Sequence, residues 1–122
     1  MKRIFNELTD QLEVVSSPFT ERTTIKPKRG YHLWTDKEVE ILGRTYSELY
    51  FAGIIEQKNF VSLHFMPIYM NPALKADIPP VLLALLKGKS CFHITNVTPE
   101  LERAIRKTLK LGISCYKNLE WL

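Results

Sequence analysis

The stretch "YFAGIIEQKNFVSLHF", Tyr50 to Phe65, does most to limit what this chain can become. In its second half Val61, Leu63 and Phe65 alternate with Ser62 and His64. A period of two puts the first set on one face of a strand and the second set on the other. "QKN" interrupts the apolar pattern and supplies a hairpin turn, with Asn59 tolerant of positive φ. The pattern predicts strands over 48–57 and 60–69, paired antiparallel. Pro67 ends useful pairing in the second, because it has no N–H to donate, and Ile68 and Tyr69 anchor the exit by burial. A sheet with one apolar face needs a second layer to cover it.

Both ends of the chain offer that layer. Ile4, Phe5, Leu8, Leu12 and Val15 recur at helical spacing, with Glu7, Asp10 and Glu13 off the stripe, so a helix is predicted over 2–15 and ended by "SSP". Near the other end Thr98 is placed to cap, Pro99 takes the first helical position and Glu100 faces the positive end of the dipole. Leu101, Ala104, Ile105, Thr108 and Leu109 form its apolar side, and Gly112 is expected to stop it. Trp121 and Leu122 are expected to tuck against the body.

Between these helices Thr20–Ile25 and Tyr31–Trp34 read as strands. Residues 36–47 read as strand and loop, since Gly43 interrupts a segment rich in Val, Ile, Thr and Tyr. Asn71-Pro72 opens a short helical turn, and Asp77 caps a helix over 79–86 that Gly88 ends. Ser90–Thr95 is a strand with Phe92 and Ile94 opposite Cys91, His93 and Thr95. The expected class is α+β, an antiparallel sheet with N- and C-terminal helices packed on one face. The length of 122 residues suits a single domain, 1–122.

Composition narrows the setting. Apolar residues make up 45% and charged residues 25%, which is globular rather than disordered. The longest apolar run, Val81–Leu86, falls far short of the ~20 residues a membrane helix needs. "MKRIFNELTDQLE" lacks the apolar core of a secretory signal, so the cytoplasm is the expected location and no membrane partner is expected. The two cysteines, Cys91 and Cys115, read as free thiols. The net charge of +4 does not require an anionic partner. Its local excess, Arg22, Lys26, Lys28 and Arg29, lacks interleaved aromatics and reads as a solvated loop, so nucleic acid is not expected as a partner.

If Val61, Leu63 and Phe65 face the helices, His64 and Met66 look out from the other face, and Cys91 and His93 share that parity. Trp34 and Tyr50, together with Tyr31, Tyr46, Tyr69 and Met70, are expected to rim a groove there. The expected ligand-binding set is therefore His64, Met66, Cys91, His93, Tyr50 and Trp34. It suits a small ligand, a protein partner or a second copy in a homodimer. Two imidazoles and a thiol also suit a borderline metal, although no paired-ligand spacing accompanies them. Cys91 and His93, two apart on a strand, stand roughly 7 Å apart at the backbone, so a catalytic pair needs His64 across the sheet. No nucleophile elbow or phosphate loop is present, and the chain reads as a non-enzyme without a cofactor.

"FVSLHFMPIYMNPAL" followed by "LLKGKSCFHI" and a terminal amphipathic helix resembles the YdhG-like domains, domain of unknown function family 1801. The match is best over Tyr50–Leu111. The resemblance implies a frataxin-like α+β sandwich in a small, mostly bacterial, cytoplasmic protein with no settled activity. It also implies an alternative role, iron binding and delivery, with Glu7, Asp10 and Glu13 as the metal ligands. Lys2 and Arg3 precede those acids and the next strand is basic, so the acidic ridge of frataxins is only half present.

Overall fold

A computed structural model describes residues 1–122. Helix α1 (Lys2–Glu13) is followed by β1 (Thr20–Thr24), β2 (Gly30–Trp34), β3 (Val39–Ile41), β4 (Arg44–Tyr46), β5 (Tyr50–Glu56) and β6 (Val61–Phe65). Then come the short helices α2 (Met66–Met70) and α3 (Pro80–Leu83), a 3-10 segment at Pro72–Asp77 lying between them. Strands β7 (Leu86–Lys87) and β8 (Cys91–Ile94) lead into the long α4 (Pro99–Asn118). Six strands form one sheet in the order β1-β2-β5-β6-β8-β7, every pair antiparallel. Strands β3 and β4 form a separate hairpin, turned at Leu42-Gly43, where both residues have positive φ. The α+β class is as the sequence predicts.

The core lies between the sheet and the two terminal helices. Helix α1 contributes Ile4, Phe5, Leu8 and Leu12, and α4 contributes Leu101, Ala104, Ile105, Leu109 and Tyr116. The sheet answers with Leu33, Ile54, Val61, Leu63, Phe65, Phe92 and Ile94, all but completely buried. The alternation in β6 is therefore real, with Val61, Leu63 and Phe65 under the helices. Thr98 caps α4 by accepting the Leu101 N–H at 3.1 Å.

Several expectations fail for identifiable reasons. Strand β6 stops at Phe65, because Pro67 enters the first turn of α2 instead of continuing the ladder. Ile68 is buried as expected, but Tyr69 is 54% exposed and anchors nothing. Asn71 and Asp77 make no cap bond; Pro79 occupies the N-cap of α3, and Gly88 lies in the turn between β7 and β8 rather than ending that helix. Gly112 does not stop α4, which runs on to Asn118. It is instead the point of closest helix–sheet approach: a Cβ there would meet Phe65 Cζ at 2.6 Å and Pro67 Cγ at 2.9 Å. Trp121 does tuck in, edge-on to Tyr116 at 5.3 Å between ring centroids.

Candidate functional site on the open sheet face

The face of the sheet turned away from α1 and α4 is ordered in cross-strand rows. One row runs Arg22, His32, Gly53, His64, Cys91 and Lys87 across all six strands. The next holds Thr24, Gly30, Ile55, Ser62 and His93. On the other side stand Trp34 and Tyr50. His64 is thus on the face the sequence assigns to it.

A β-bulge makes the site possible. Trp34 pairs with Tyr50 and Leu33 with Ala52, which leaves Phe51 without a partner on β2. Strict alternation would send Tyr50 and Ala52 to the same face. The extra residue resets the parity, so that Phe51 and Ala52 are both buried in the core and Tyr50 is aimed at the open face. The bulge is held from both sides. The Tyr116 hydroxyl donates to the Tyr50 carbonyl at 2.7 Å. Thr35, itself buried, accepts the Leu49 N–H at its hydroxyl and donates its own N–H to the Leu49 carbonyl, both at 2.8 Å.

Tyr50 then lies back over Gly53, and its hydroxyl meets His32 Nδ1 at 2.8 Å. Glycine is required beneath this pair: a Cβ on residue 53 would stand 1.8 Å from the Tyr50 hydroxyl and 2.5 Å from His32 Nδ1. Gly30 makes the same allowance for His32 and Thr24. Trp34 meets Tyr50 edge-on at 5.1 Å, and the Arg22 guanidinium lies 5.0 Å from the centre of its ring. Arg22 is held there by both oxygens of Glu48, at 2.6 and 2.7 Å, and this pairing raises its pKa further. The result is a cleft of about 450 Å³ lined by Arg22, Thr24, His32, Trp34, Tyr50, Ile55 and His64.

Beyond the cleft, His64 Nδ1 lies 2.9 Å from Cys91 Sγ. Burial lowers the His64 pKa, with smaller contributions from His32 and His93, and burial also lowers that of His32. Burial raises the Cys91 thiol, partly offset by a hydrogen bond with Ser90, and it raises the Tyr50 phenol well above its usual range. The site is therefore neutral at rest apart from the Arg22–Glu48 pair. With the thiol donating to Nδ1, the imidazole proton sits on Nε2, which is buried without a partner.

Neutral burial of two imidazoles has a consequence for stability. Their folded pKa values lie below the unfolded value of ~6.5, so below that pH the unfolded chain binds more protons than the folded one. Stability is then lost as pH falls from ~6.5 towards the folded pKa values, and it levels off below them. Urea midpoints measured from about pH 7.5 down to about pH 5 should fall through this window. In His64→Phe the fall should be shallower, and an unchanged slope would remove His64 as a contributor.

Of the residues expected to bind, Tyr50, Trp34 and His64 line the cleft. Cys91 stands one strand further on, paired with His64. His93 belongs to the neighbouring row, stacks on Phe60 at 4.0 Å and does not line the cleft. Met66 opens α2 and is no part of the cleft, because the strand ends one residue before it. Tyr31 faces the core, Tyr46 lies on the β3–β4 hairpin and Tyr69 lies on α2. Sequence reasoning missed His32, Arg22, Thr24 and Ile55. The alternation of "GYHLW" does put His32 on the face of Trp34, but only the pairing of β2 with β5 brings both to Tyr50.

Nowhere do three or more His, Cys, Asp or Glu side chains converge as metal ligands. Asp10 and Glu13 stay exposed on α1, and Glu7 lies 3.9 Å from Arg3. The basic run is also dispersed: Arg22 goes to Glu48, Lys28 to Gln57, and Arg29 to the Phe5 ring. No helix is long and apolar enough to cross a membrane. Compared with known proteins, the chain matches no family model, no curated protein and no solved structure.

Proposed function

We propose that this is a non-enzymatic binding domain that takes a flat small molecule into the cleft on its open sheet face. The supporting observation is the construction of that cleft: a bulge turns Tyr50 outward, Gly53 clears the space beneath it, and Gly30 clears that beneath His32 and Thr24. Trp34, Tyr50 and Ile55 supply flat or apolar walls. Arg22 is neutralised by Glu48, and both cleft histidines are neutral. A ligand with an aromatic body and a hydrogen-bond acceptor fits this lining better than a cation or a dianion. The likeness to the YdhG-like domains, a bacterial origin and a cytoplasmic location belong to the same proposal, and the two free cysteines agree with the location. The iron-carrier alternative has no cluster of ligands to support it.

The reading is tested with benzamide and benzylamine as probes in saturation-transfer NMR on the full chain. Benzamide should receive saturation and benzylamine should not. Trp34→Ala should abolish the benzamide signal, and His64→Ala should weaken it about tenfold for a lost buried hydrogen bond, while far-UV circular dichroism stays unchanged. Equal signals from both probes, or a benzamide signal indifferent to Trp34, would overturn the proposal.

A further inference from the structure

The cleft leaves Cys91 unused. Its thiol stands one strand beyond His64, with Sγ 2.9 Å from Nδ1. The pair is built by sheet register, which sets His64 directly opposite Cys91 on the neighbouring strand. On the other side of Cys91 the register places Lys87, an exposed residue of β7. Base, nucleophile and cation thus follow one another along a single row on three adjacent strands, with the thiol in the middle. Cys91 is half-buried rather than enclosed, and it does not line the cleft.

We infer that Cys91 is a base-assisted nucleophilic thiol, with His64 as its general base, that adds to small α,β-unsaturated carbonyl compounds. The sulfur lone pair forms the S–C bond at the β-carbon, and the C=C π pair moves through to the carbonyl oxygen as an enolate. The thiol proton passes to His64 Nδ1 and is returned to the α-carbon. Every atom of thiol and electrophile is kept in the adduct, and no oxidant, reductant or second reactant is needed. Lys87 puts a positive charge in the row where the enolate develops. The unpartnered Nε2 leaves His64 free to be held by Cys91 alone.

The resting pair is neutral, since burial disfavours the thiolate and the imidazolium alike. Reaction therefore depends on transfer of the proton during attack rather than on a standing thiolate. The ionisable groups facing the pair are His93 on β8, Lys87 on β7, Tyr50 on β5 and His32 on β2. Burial, with smaller contributions from the two histidines, disfavours a proton on His64, so the base stays available to mildly acidic pH. Cys115 on α4 has no imidazole bonded to its sulfur and serves as an internal control. The assignment does not use the cleft's ligand, and either reading can fail without the other.

The test is the rate of N-ethylmaleimide addition to each cysteine of the full chain, read by peptide mass spectrometry from about pH 6 to about pH 9. Cys91 should outpace Cys115 at neutral pH, with a rate that falls only as His64 gains its proton. In His64→Gln the Cys91 rate at neutral pH should drop at least about tenfold, the low end for loss of a general base. Its profile should then climb only with the alkaline ionisation of the thiol, while Cys115 keeps its rate. An unchanged Cys91 rate in His64→Gln, or a Cys91 no faster than Cys115 at any pH, would overturn the assignment. If Cys115 also changes, the fold has shifted, and the same comparison in Cys115→Ser with and without His64→Asn decides between the two outcomes.

Discussion

Phe51→Ala should destabilise the protein by about 3–5 kcal/mol, the range for removing a fully buried aromatic side chain. The Phe51 ring is stacked on Phe19 at 4.4 Å and meets Tyr116 and Phe65 edge-on at 5.3 and 5.9 Å. Truncation leaves three rings facing a void too well walled to collapse. Small domains have only about 5–15 kcal/mol in total, so the variant should unfold at a much lower urea concentration in an equilibrium titration. The loss should also reach the opposite face. Burial of Phe51 is what favours the bulge, and without it β5 regains an incentive to pair in simple alternation, which would turn Tyr50 inward. A loss below about 1 kcal/mol would mean that the aromatic cluster is not what fixes the bulge.

Gly53→Ala is the second large effect, and it strikes the site directly. The added methyl would sit 1.8 Å from the Tyr50 hydroxyl and 2.5 Å from His32 Nδ1. Backbone cannot yield there, since β5 is paired on both sides. Tyr50 must swing away and give up its bond to His32. Overpacking and the lost hydrogen bond together should cost about 2–4 kcal/mol, offset slightly by the better strand propensity of alanine. Benzamide binding should vanish in this variant even where the domain remains folded, as judged by circular dichroism. Retained binding would show that Tyr50 does not form the wall assigned to it.

The sequence makes the layers of this fold legible because burial periodicity is local. Ile4 through Leu12, Leu101 through Leu109, and Val61 through Phe65 each announce a face without reference to anything distant. Capping by Thr98 is local too. The bulge at Phe51 is not: "LYFAGII" has no mark of a parity reset, and the reset is stabilised by Phe19, Phe65 and Tyr116 from elsewhere in the chain. Gly112 misleads for a related reason. A glycine near a helix end reads as a stop, yet here it lies within the helix where Phe65 and Pro67 leave no room for a Cβ. His64 was visible from alternation alone, whereas His32 and Arg22 needed the strand order. Cys91 and His64 lie far apart in the chain, and only the register of β6 against β8 decides that they touch.

The sheet's two margins have a consequence for how this domain can meet its own copies. One margin is β1, short, charged through Glu21 and Arg22, and followed closely by Pro27. The other is β7, two residues long and ended by Gly88 and Lys89. Neither presents the long, flat, apolar ribbon that would template a further strand. Growth by edge-to-edge accretion is thereby discouraged, and self-association has to engage flat surfaces, where specificity is set by side chains rather than by backbone.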